Sequence, residues 1–321
     1  MVKKNIKCLT IITVPFNTAC IFINIIDCII KKGGKVAYVW GKYCENKELI
    51  HMLKNLNISL THSYNSGEHE SLNSDIVFIN YKNIGKIKKI YDLVIFDDIT
   101  CFSNINRNTA REICDKCLKI GERIISYTIE KSSLIGEKIE LVAHNYEYPF
   151  VEPRIIKTRI NLNIDIPYTM YEYLKWFKES NQKVVIYSQD KKSIGKIYDY
   201  FNEKLKLKGV KIAKATTIDE IKRCEKVLKR KEKAIFIITN KIEEILEYCH
   251  IDNVIIMFND ENTHTYKKLL YICGKIRVIN YVSPEVLLVC NEVSEDIDRA
   301  KEMARDFNKK VWDKKLKELQ R

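Results

Sequence analysis

Apolar residues recur along the first half of the chain in two alternating rhythms. Short unbroken apolar runs are typical of strands buried on both faces, whereas apolar positions three or four apart are typical of amphipathic helices. The runs predict strands at residues 8–14, 36–40, 75–79, 93–96 and 124–127, with helical patterns between them at 18–31 and 106–119. Strands that alternate with helices in this way predict a parallel sheet covered by helices on both faces.

A proline-marked break separates this half from a second one with the same rhythm. Three of the five prolines fall at positions 149, 153 and 167, which predicts an extended linker over residues 149–167. Beyond it the pattern predicts strands at 183–187, 210–213, 234–238, 253–258 and 286–290, and helices at 168–180, 191–208, 217–231, 263–275 and 294–321. The predicted fold is therefore α/β, with two tandem doubly wound parallel-sheet domains at residues 1–148 and 168–321.

Composition and charge narrow the classes of partner. Apolar residues make up 46% of the chain and charged residues 30%, which is typical of a globular protein rather than a disordered one. The net charge of +13 favours polyanionic partners, although an AT-rich genome would also enrich lysine. No apolar run approaches the ~20 residues of a membrane span. Eleven cysteines without an export signal predict reduced thiols and a cytoplasmic location.

The most informative stretch is YDLVIFDDITCF at residues 91–102, where an apolar strand ends in two adjacent carboxylates, Asp97 and Asp98. In open α/β sheets, ligands bind beyond the carboxyl ends of the strands. Carboxylates at that position can hold Mg²⁺ and orient an attacking water for phosphoryl transfer. The sequence therefore predicts a catalytic pair, with Asp97 as the metal ligand. The alternative is a buried strand that simply ends in a polar loop.

Four further motifs accompany these carboxylates in order along the chain. Residues 75–102 look like a strand, a short spacer and a D-E-V-D-A-F run, and Ser126-Tyr127-Thr128 stands in the place of a T-A-T motif. TNKIEEILE at 239–247 and LLYICGKIRV at 269–278 stand in the places of T-T-x-L-E-R-G and Q-x-x-G-R-x-G-R. Through these motifs the whole chain resembles the ComF operon protein A family, the competence DNA-uptake ATPases of helicase superfamily 2, which are related to the PriA helicases.

The resemblance implies specific ligands, partners and residue roles. It implies two RecA-like domains, ATP and Mg²⁺ as cofactors, and nucleic acid, single-stranded DNA above all, as a partner beside competence or DNA-processing proteins. Coupling roles would fall to Ser126 and Thr128, and nucleotide contacts in the second domain to Lys275 and Arg277. The family's four-cysteine zinc module has no counterpart before the first strand, and Cys114-x-x-Cys117 stands alone, so no zinc is expected.

The phosphate-binding elements depart from the family pattern. Residues 13–18 read TVPFNT where G-x-G-K-T is expected, so Thr18 keeps the hydroxyl while Asn17 replaces the lysine that reaches the phosphates. The glycines, whose backbone N–H groups wrap the phosphates, are replaced by Val14 and Phe16. In the second domain, Glu244 stands in place of an arginine, and an arginine finger can contribute about 10³–10⁵ in rate. These changes predict weak ATP binding and little turnover.

Basic residues mark a candidate nucleic-acid surface. Single-strand binders combine a basic groove with aromatic stacking platforms. The segment after the third predicted strand, YKNIGKIKK, and the linker supply candidate contacts, against the alternative of a solvated lysine face. These candidates are Lys82, Lys86, Lys88, Lys89 and Arg154.

Three functions remain open from the sequence. The favoured one is a degenerate helicase-like protein that binds nucleic acid and has lost most or all ATPase activity. The second is an active DNA translocase whose phosphate contacts are rebuilt from other groups. The third is a non-catalytic interaction scaffold.

Overall fold

The computed structural model describes residues 7–15, 19–56, 59–67, 73–102, 105–130, 136–142, 149–228, 233–258, 264–276 and 284–320. The chain divides into two compact units, Met1–Asn145 and Tyr146–Arg321. Each unit is built around one sheet with helices packed on it, and all of the described strand pairs are parallel. The predicted α/β fold with two tandem parallel-sheet domains is confirmed.

Unit 1 contains a seven-stranded sheet in the order β3-β4-β2-β5-β6-β1-β7. Its central strands carry unbroken apolar sequence because both of their faces are covered. The strands are β1 (Cys8–Ile12), β2 (Val36–Trp40), β3 (His62–Asn65), β4 (Ile76–Asn80), β5 (Tyr91–Asp97), β6 (Gly121–Thr128) and β7 (Glu137–Glu140). The helices are α1 (Ile23–Lys31), α2 (Lys47–Leu56) and α3 (Arg107–Ile120).

The first helix starts later than the sequence predicts. A 3₁₀ turn covers Ala19–Phe22, and α1 begins only at Ile23. The reason is the burial of Phe22, which is 1% exposed and packs edge-on against Tyr127, with ring centroids 5.2 Å apart. No side chain caps the start of α1, so packing rather than capping fixes where this helix begins.

Unit 2 contains a six-stranded sheet in the order β10-β11-β9-β12-β13-β8. The strands are β8 (Arg154–Lys157), β9 (Lys183–Tyr187), β10 (Lys211–Ala215), β11 (Ile235–Thr239), β12 (Asn253–Phe258) and β13 (Val286–Cys290). The helices are α4 (Tyr168–Glu179), α5 (Lys191–Asp199), α6 (Ile218–Leu228), α7 (Ile242–Tyr248), α8 (Tyr266–Lys275) and α9 (Glu295–Leu319).

Two segments of unit 2 differ from the predicted elements. Strand β8 lies within residues 149–167, the predicted linker, and pairs in parallel with β13 at the edge of the sheet. The helix predicted over 191–208 is α-helical only to Asp199 and continues as one π-helical turn over Tyr200–Leu205. Lys206, with φ 42°, then takes the left-handed conformation that ends this segment. No helix of the described ranges is long and apolar enough to cross a membrane.

Candidate functional site

Strand β6 connects the two loops that carry the predicted nucleotide-binding residues. It lies between β1 and β5, so its carboxyl end is flanked by the ends of both neighbours. The Thr13 N–H donates to the carbonyl of Thr128 over 3.1 Å, and the Asp98 N–H donates to the carbonyl of Tyr127 over 3.0 Å. The loop after β1 and the carboxylate pair after β5 are therefore fixed to adjacent residues of one strand.

Asp97 is a fully buried carboxylate that accepts four hydrogen bonds. Its Oδ1 accepts from the backbone N–H groups of Ile99 and Thr100, both at 2.9 Å. Its Oδ2 accepts from the hydroxyls of Tyr38 and Thr100. An ionised carboxylate offers about four lone-pair sites. Since four donors occupy them, a metal ion could bind Asp97 directly only by displacing some of these donors.

Burial controls the protonation of this group. Removal from water raises the pKa of Asp97 above its usual range, and the four hydrogen bonds oppose that shift without cancelling it. Burial and the neighbouring Asp97 carboxylate together raise the pKa of Tyr38 well above its usual range. Tyr38 therefore stays protonated and serves Asp97 as a donor.

Asp98 lies beside a different set of groups. Its side chain is 1% exposed. Burial raises the pKa of Tyr81, and it raises the pKa of Cys114 to about 12. The charge of Asp98 raises both pKa values further. Asp98 is thus the carboxylate whose charge reaches the segment after β4. In the part of the chain that the structure describes, no group of three or more His, Cys, Asp or Glu side chains is arranged to hold a metal ion.

The predicted coupling residues are buried at the end of β6. Ser126 is 3% exposed and its hydroxyl accepts a weak hydrogen bond from the Cys114 thiol, with 3.9 Å between Sγ and Oγ. Thr128 is fully buried, and its hydroxyl accepts from the Glu130 N–H over 3.2 Å. Cys117 is fully buried on the same helix as Cys114.

The described start of the loop after β1, residues 13–15, is packed against protein, whereas a phosphate loop would be open. Val14 is 4% exposed and Pro15 is buried, so both side chains face protein rather than a ligand. The Thr13 hydroxyl donates to the Leu141 carbonyl over 2.8 Å, which holds the start of the loop against the segment after β7. The predicted nucleotide contacts Asn17 and Thr18 lie outside the described residues.

The lysine cluster, defined as Lys82, Lys86, Lys88 and Lys89, lies on and after a 3₁₀ helix at the carboxyl end of β4. Asn80 fixes this helix, because its side chain accepts from the Lys82 N–H over 2.9 Å and donates to the Gly41 carbonyl over 2.8 Å. Three of the four lysines are exposed, while Lys89 is half-buried with its Nζ 5.9 Å from the Tyr91 ring centroid. None of the four forms an ion pair with another described residue.

The residues of unit 2 predicted to contact nucleotide or nucleic acid each have different neighbours. Lys275 ends α8 half-buried, with its Nζ 5.5 Å from the Tyr271 ring centroid. Glu244 forms a salt bridge with Lys241 at 3.2 Å, and Arg154 forms one with Glu285 at 2.6 Å, which raises the arginine pKa. Arg277 lies outside the described residues.

Sequence reasoning missed several residues of these sites. Tyr38 lies in the middle of an apolar strand 59 positions before Asp97, and nothing local marks it as a partner. Thr100 did carry a signal, because an Asp followed three residues later by a threonine favours side-chain bonds to the local backbone. In unit 2, His264 is 4% exposed and lies 5.2 Å from the Tyr187 ring, between ring centroids. Burial lowers the His264 pKa to about 4.

Comparisons with known proteins show the fold class. No protein-family model matches the chain, and no curated protein matches it significantly in sequence. Solved structures do match in three dimensions. The DUF1998 helicase MrfA bound to DNA aligns with 95% of this chain at 12% identity and a TM-score of 0.54, and this chain spans 47% of MrfA.

Two RNA-bound structures match equally well. Dbp5 of S. cerevisiae, bound to RNA and ADP BeF3, matches at 8% identity and a TM-score of 0.56. The alignment covers 95% of this chain and 84% of the Dbp5 chain. Mss116p, bound to ssRNA and AMP-PNP, matches at 12% identity and a TM-score of 0.56. The alignment covers 90% of this chain and 67% of the Mss116p chain. At such identities the similarity establishes a helicase-like fold with two RecA-like domains.

Proposed function

We propose that this protein is a degenerate helicase-like protein that binds nucleic acid, single-stranded DNA in the first place, with very weak or no ATP hydrolysis. The observation that carries the proposal is the contrast between three exposed lysines, Lys82, Lys86 and Lys88, which form no ion pair with another described residue, and the Asp97 carboxylate, which accepts from four donors. A role close to that of the ComF operon protein A family, with competence or DNA-processing partners in the cytoplasm, belongs to the same proposal.

The lysine cluster supports the binding half of the proposal. Lys82, Lys86 and Lys88 are exposed cations without carboxylate partners among the described residues, so they can replace counterions on a phosphate backbone. The loop after β2, joined to the cluster through Asn80, carries Tyr43, which is 61% exposed. An exposed ring on a loop that is hydrogen-bonded to Asn80, two residues before Lys82, has the character of a single-strand binding surface. Arg154 is a weaker candidate because Glu285 neutralises its charge.

The carboxylate site and its loop support the loss of hydrolysis. A phosphate loop needs free backbone N–H groups and space for an anion. Val14 and Pro15 instead bury their side chains, and the proline has no N–H. With the lone pairs of Asp97 occupied and Glu244 where the family has an arginine, two of the contacts that Mg²⁺ and a transferring phosphoryl group would use are lost. Asn17 and Thr18 remain the candidate contacts on this loop, and Lys275 and Arg277 those in unit 2.

Binding is tested by the salt dependence of affinity for a fluorescent single-stranded oligonucleotide. The variant Lys82/Lys86/Lys88→Gln should lower the log–log salt slope by about 0.7 for each phosphate that a lysine no longer neutralises, or about 2 in all. The matched control is Lys54/Lys116/Lys119→Gln, three exposed helical lysines of the same unit. Equal slopes in the two variants would contradict a role of the cluster.

Hydrolysis is tested with the purified chain, with and without single-stranded DNA. We expect negligible turnover in both conditions, and no rescue by Asn17→Lys, because that change restores neither of the glycines that Val14 and Phe16 replace. DNA-stimulated turnover that Asp98→Asn abolishes would favour the second candidate, an active translocase. The hydrogen bonds from the Thr13 and Asp98 N–H groups to adjacent carbonyls of β6 are the observation in favour of that alternative, since they hold the loops after β1 and β5 to one strand.

A further inference from the structure

A second basic surface lies on unit 2, along the free edge of its sheet. Residues 191–214 contain eight lysines against two acidic residues, Asp199 and Glu203. They form α5, the π-helical turn and β10, which is the edge strand of the sheet next to β11. The eight lysines are Lys191, Lys192, Lys196, Lys204, Lys206, Lys208, Lys211 and Lys214.

These lysines are available to a ligand. All eight are exposed, and none forms a salt bridge with another described residue. The segment from Lys204 to Lys214 contains five of them and no acidic residue. It leads from the π-helical turn to the amino end of β10 and then along the strand, so its charge follows the edge of the sheet.

Two tyrosines interleave with this charge. The Nζ of Lys214 lies 5.9 Å from the Tyr198 ring centroid, and that of Lys204 lies 5.7 Å from the Tyr200 ring centroid. Both rings are partly buried and pack against the core of unit 2, which holds them in place. The Tyr200 hydroxyl also donates to Asp165 Oδ1 at 2.5 Å. Fixed rings beside long lysine side chains can stack bases while the lysine ammonium groups bind phosphates.

Bases are free to stack on such rings only when they are not paired and stacked in a duplex, so the two rings favour a single strand.

We propose that the edge surface, defined as Tyr198, Tyr200, Lys204, Lys206, Lys208 and Lys214, is a second binding surface for single-stranded nucleic acid. It belongs to unit 2 and the lysine cluster to unit 1. Its charges lie along the edge strand of the second sheet and at the amino end of β10, whereas the unit 1 cluster follows the carboxyl end of β4. The lysines would bind phosphates, and the two rings would stack bases.

Lysines on an edge strand can also protect it from pairing with another molecule, and the test must distinguish this role from phosphate binding. Charged side chains on an edge strand prevent it from pairing with the edge of another molecule. Substitution by glutamate keeps a charge at the edge and so preserves that protection, while it reverses the attraction for phosphate. The informative variant is therefore Lys204/Lys208/Lys214→Glu, and the matched control is Lys54/Lys116/Lys119→Glu, which changes the net charge equally.

The experiment measures the affinity of each full-chain variant for a fluorescent oligothymidine between low and moderate salt. We expect the edge variant to lower the log–log salt slope by about 2 more than the control does, at about 0.7 per neutralised phosphate. Equal slopes in the edge and control variants would overturn the proposal. An edge variant that self-associates while it binds as the control does would assign these lysines to edge protection and likewise overturn it.

The role of the rings is tested separately. Tyr198→Leu keeps an apolar side chain in the core but removes the stacking surface, and we expect weaker binding with an unchanged salt slope. Photo-cross-linking of 4-thiothymidine oligonucleotides should label peptides within residues 191–214. Equal affinity for a heparin oligosaccharide or for duplex DNA, with no effect of Tyr198→Leu, would overturn the assignment to a single strand.

The outcome also separates this proposal from the one for unit 1. If Lys82/Lys86/Lys88→Gln weakens binding while the edge variant matches its control, the second surface fails and the first stands. If only the edge variant weakens binding, the second surface stands and the unit 1 cluster fails.

Discussion

Two regions of unit 1 flank the carboxyl end of β2 and differ in how their charges are treated. After β5, Asp97 is fully buried and every lone pair of its carboxylate is occupied. After β4, Lys82, Lys86 and Lys88 are exposed and have no carboxylate partners among the described residues. Asp97 is therefore a carboxylate held by internal hydrogen bonds, whereas the three lysine charges remain available to a ligand.

The carboxylate motif at the end of β5 keeps its residue, Asp97, while the role of that residue changes. A carboxylate at the end of a buried strand has the right position for a metal ion. When neighbouring hydroxyls and backbone N–H groups take its lone pairs, the same side chain becomes a brace between strands β2 and β5. Position in the sheet alone therefore does not establish catalysis at Asp97, and the hydrogen-bond partners must be counted.

The largest expected effect comes from Asp97→Ala. It leaves four donors without an acceptor, and the two that are buried, the Tyr38 hydroxyl and the Ile99 N–H, cost about 1–3 kcal/mol each. We therefore expect the free energy of unfolding to fall by at least about 3 kcal/mol, measured by hydrogen exchange in peptides of β5 and β6. Tyr38→Phe is the control, because it removes one donor and should cost about 1 kcal/mol. An alanine variant as stable as the phenylalanine variant would break the comparison.

A smaller effect should appear in the pH dependence of stability. The pKa of Asp97 is raised in the folded state, so at a given pH a larger fraction of Asp97 is protonated there than in the unfolded chain. Its contribution to stability is present below the unfolded pKa of about 3.9 and is lost as pH rises through the folded pKa. Relative to the wild type, Asp97→Asn should therefore gain stability as pH rises above about 4. Denaturant unfolding across this range measures the difference, and a constant difference would contradict burial as the dominant cause.

The smallest effect concerns the lysine cluster. Gly67 has φ 84°, and a Cβ there would lie 2.8 Å from Cδ of Lys86. Gly67→Ala should therefore displace Lys86 and lower the salt slope of binding by no more than about 0.7, the share of one neutralised phosphate. Gly85→Ala is the control, since a Cβ at Gly85 meets nothing within 4 Å. A larger decrease in the Gly85 variant than in the Gly67 variant would contradict the role of Lys86.

The predicted strands were found because their apolar runs are buried on both faces, and this pattern is visible in the sequence. Strand β7 was missed because its four residues, Glu137–Glu140, are all exposed and carry no apolar run. Strand β8 was missed because prolines flank it, although its edge position leaves room for them. The π-helical turn at Tyr200–Leu205 depends on packing and had no local signal.

The candidate site was predictable in part. The end of β5 could be located from the sequence, because an apolar run stops at Asp97 and Asp98. The burial of Asp97 could not, since its partner Tyr38 comes from a neighbouring strand. The roles of Asn17, Thr18 and Arg277 stay predictions, because these residues lie outside the described ranges.

The strand order of unit 1 has a consequence for how the chain is made. Strand β1 is synthesised first, yet its partners in the sheet are β6 and β7, with Cys8 paired to Ile124 and Leu9 to Glu137. At about 5–20 residues per second, β1 waits on the order of 10 s before β6 leaves the ribosome. We therefore expect chains that stop before β6 to expose β1 as an unpaired apolar strand and to aggregate.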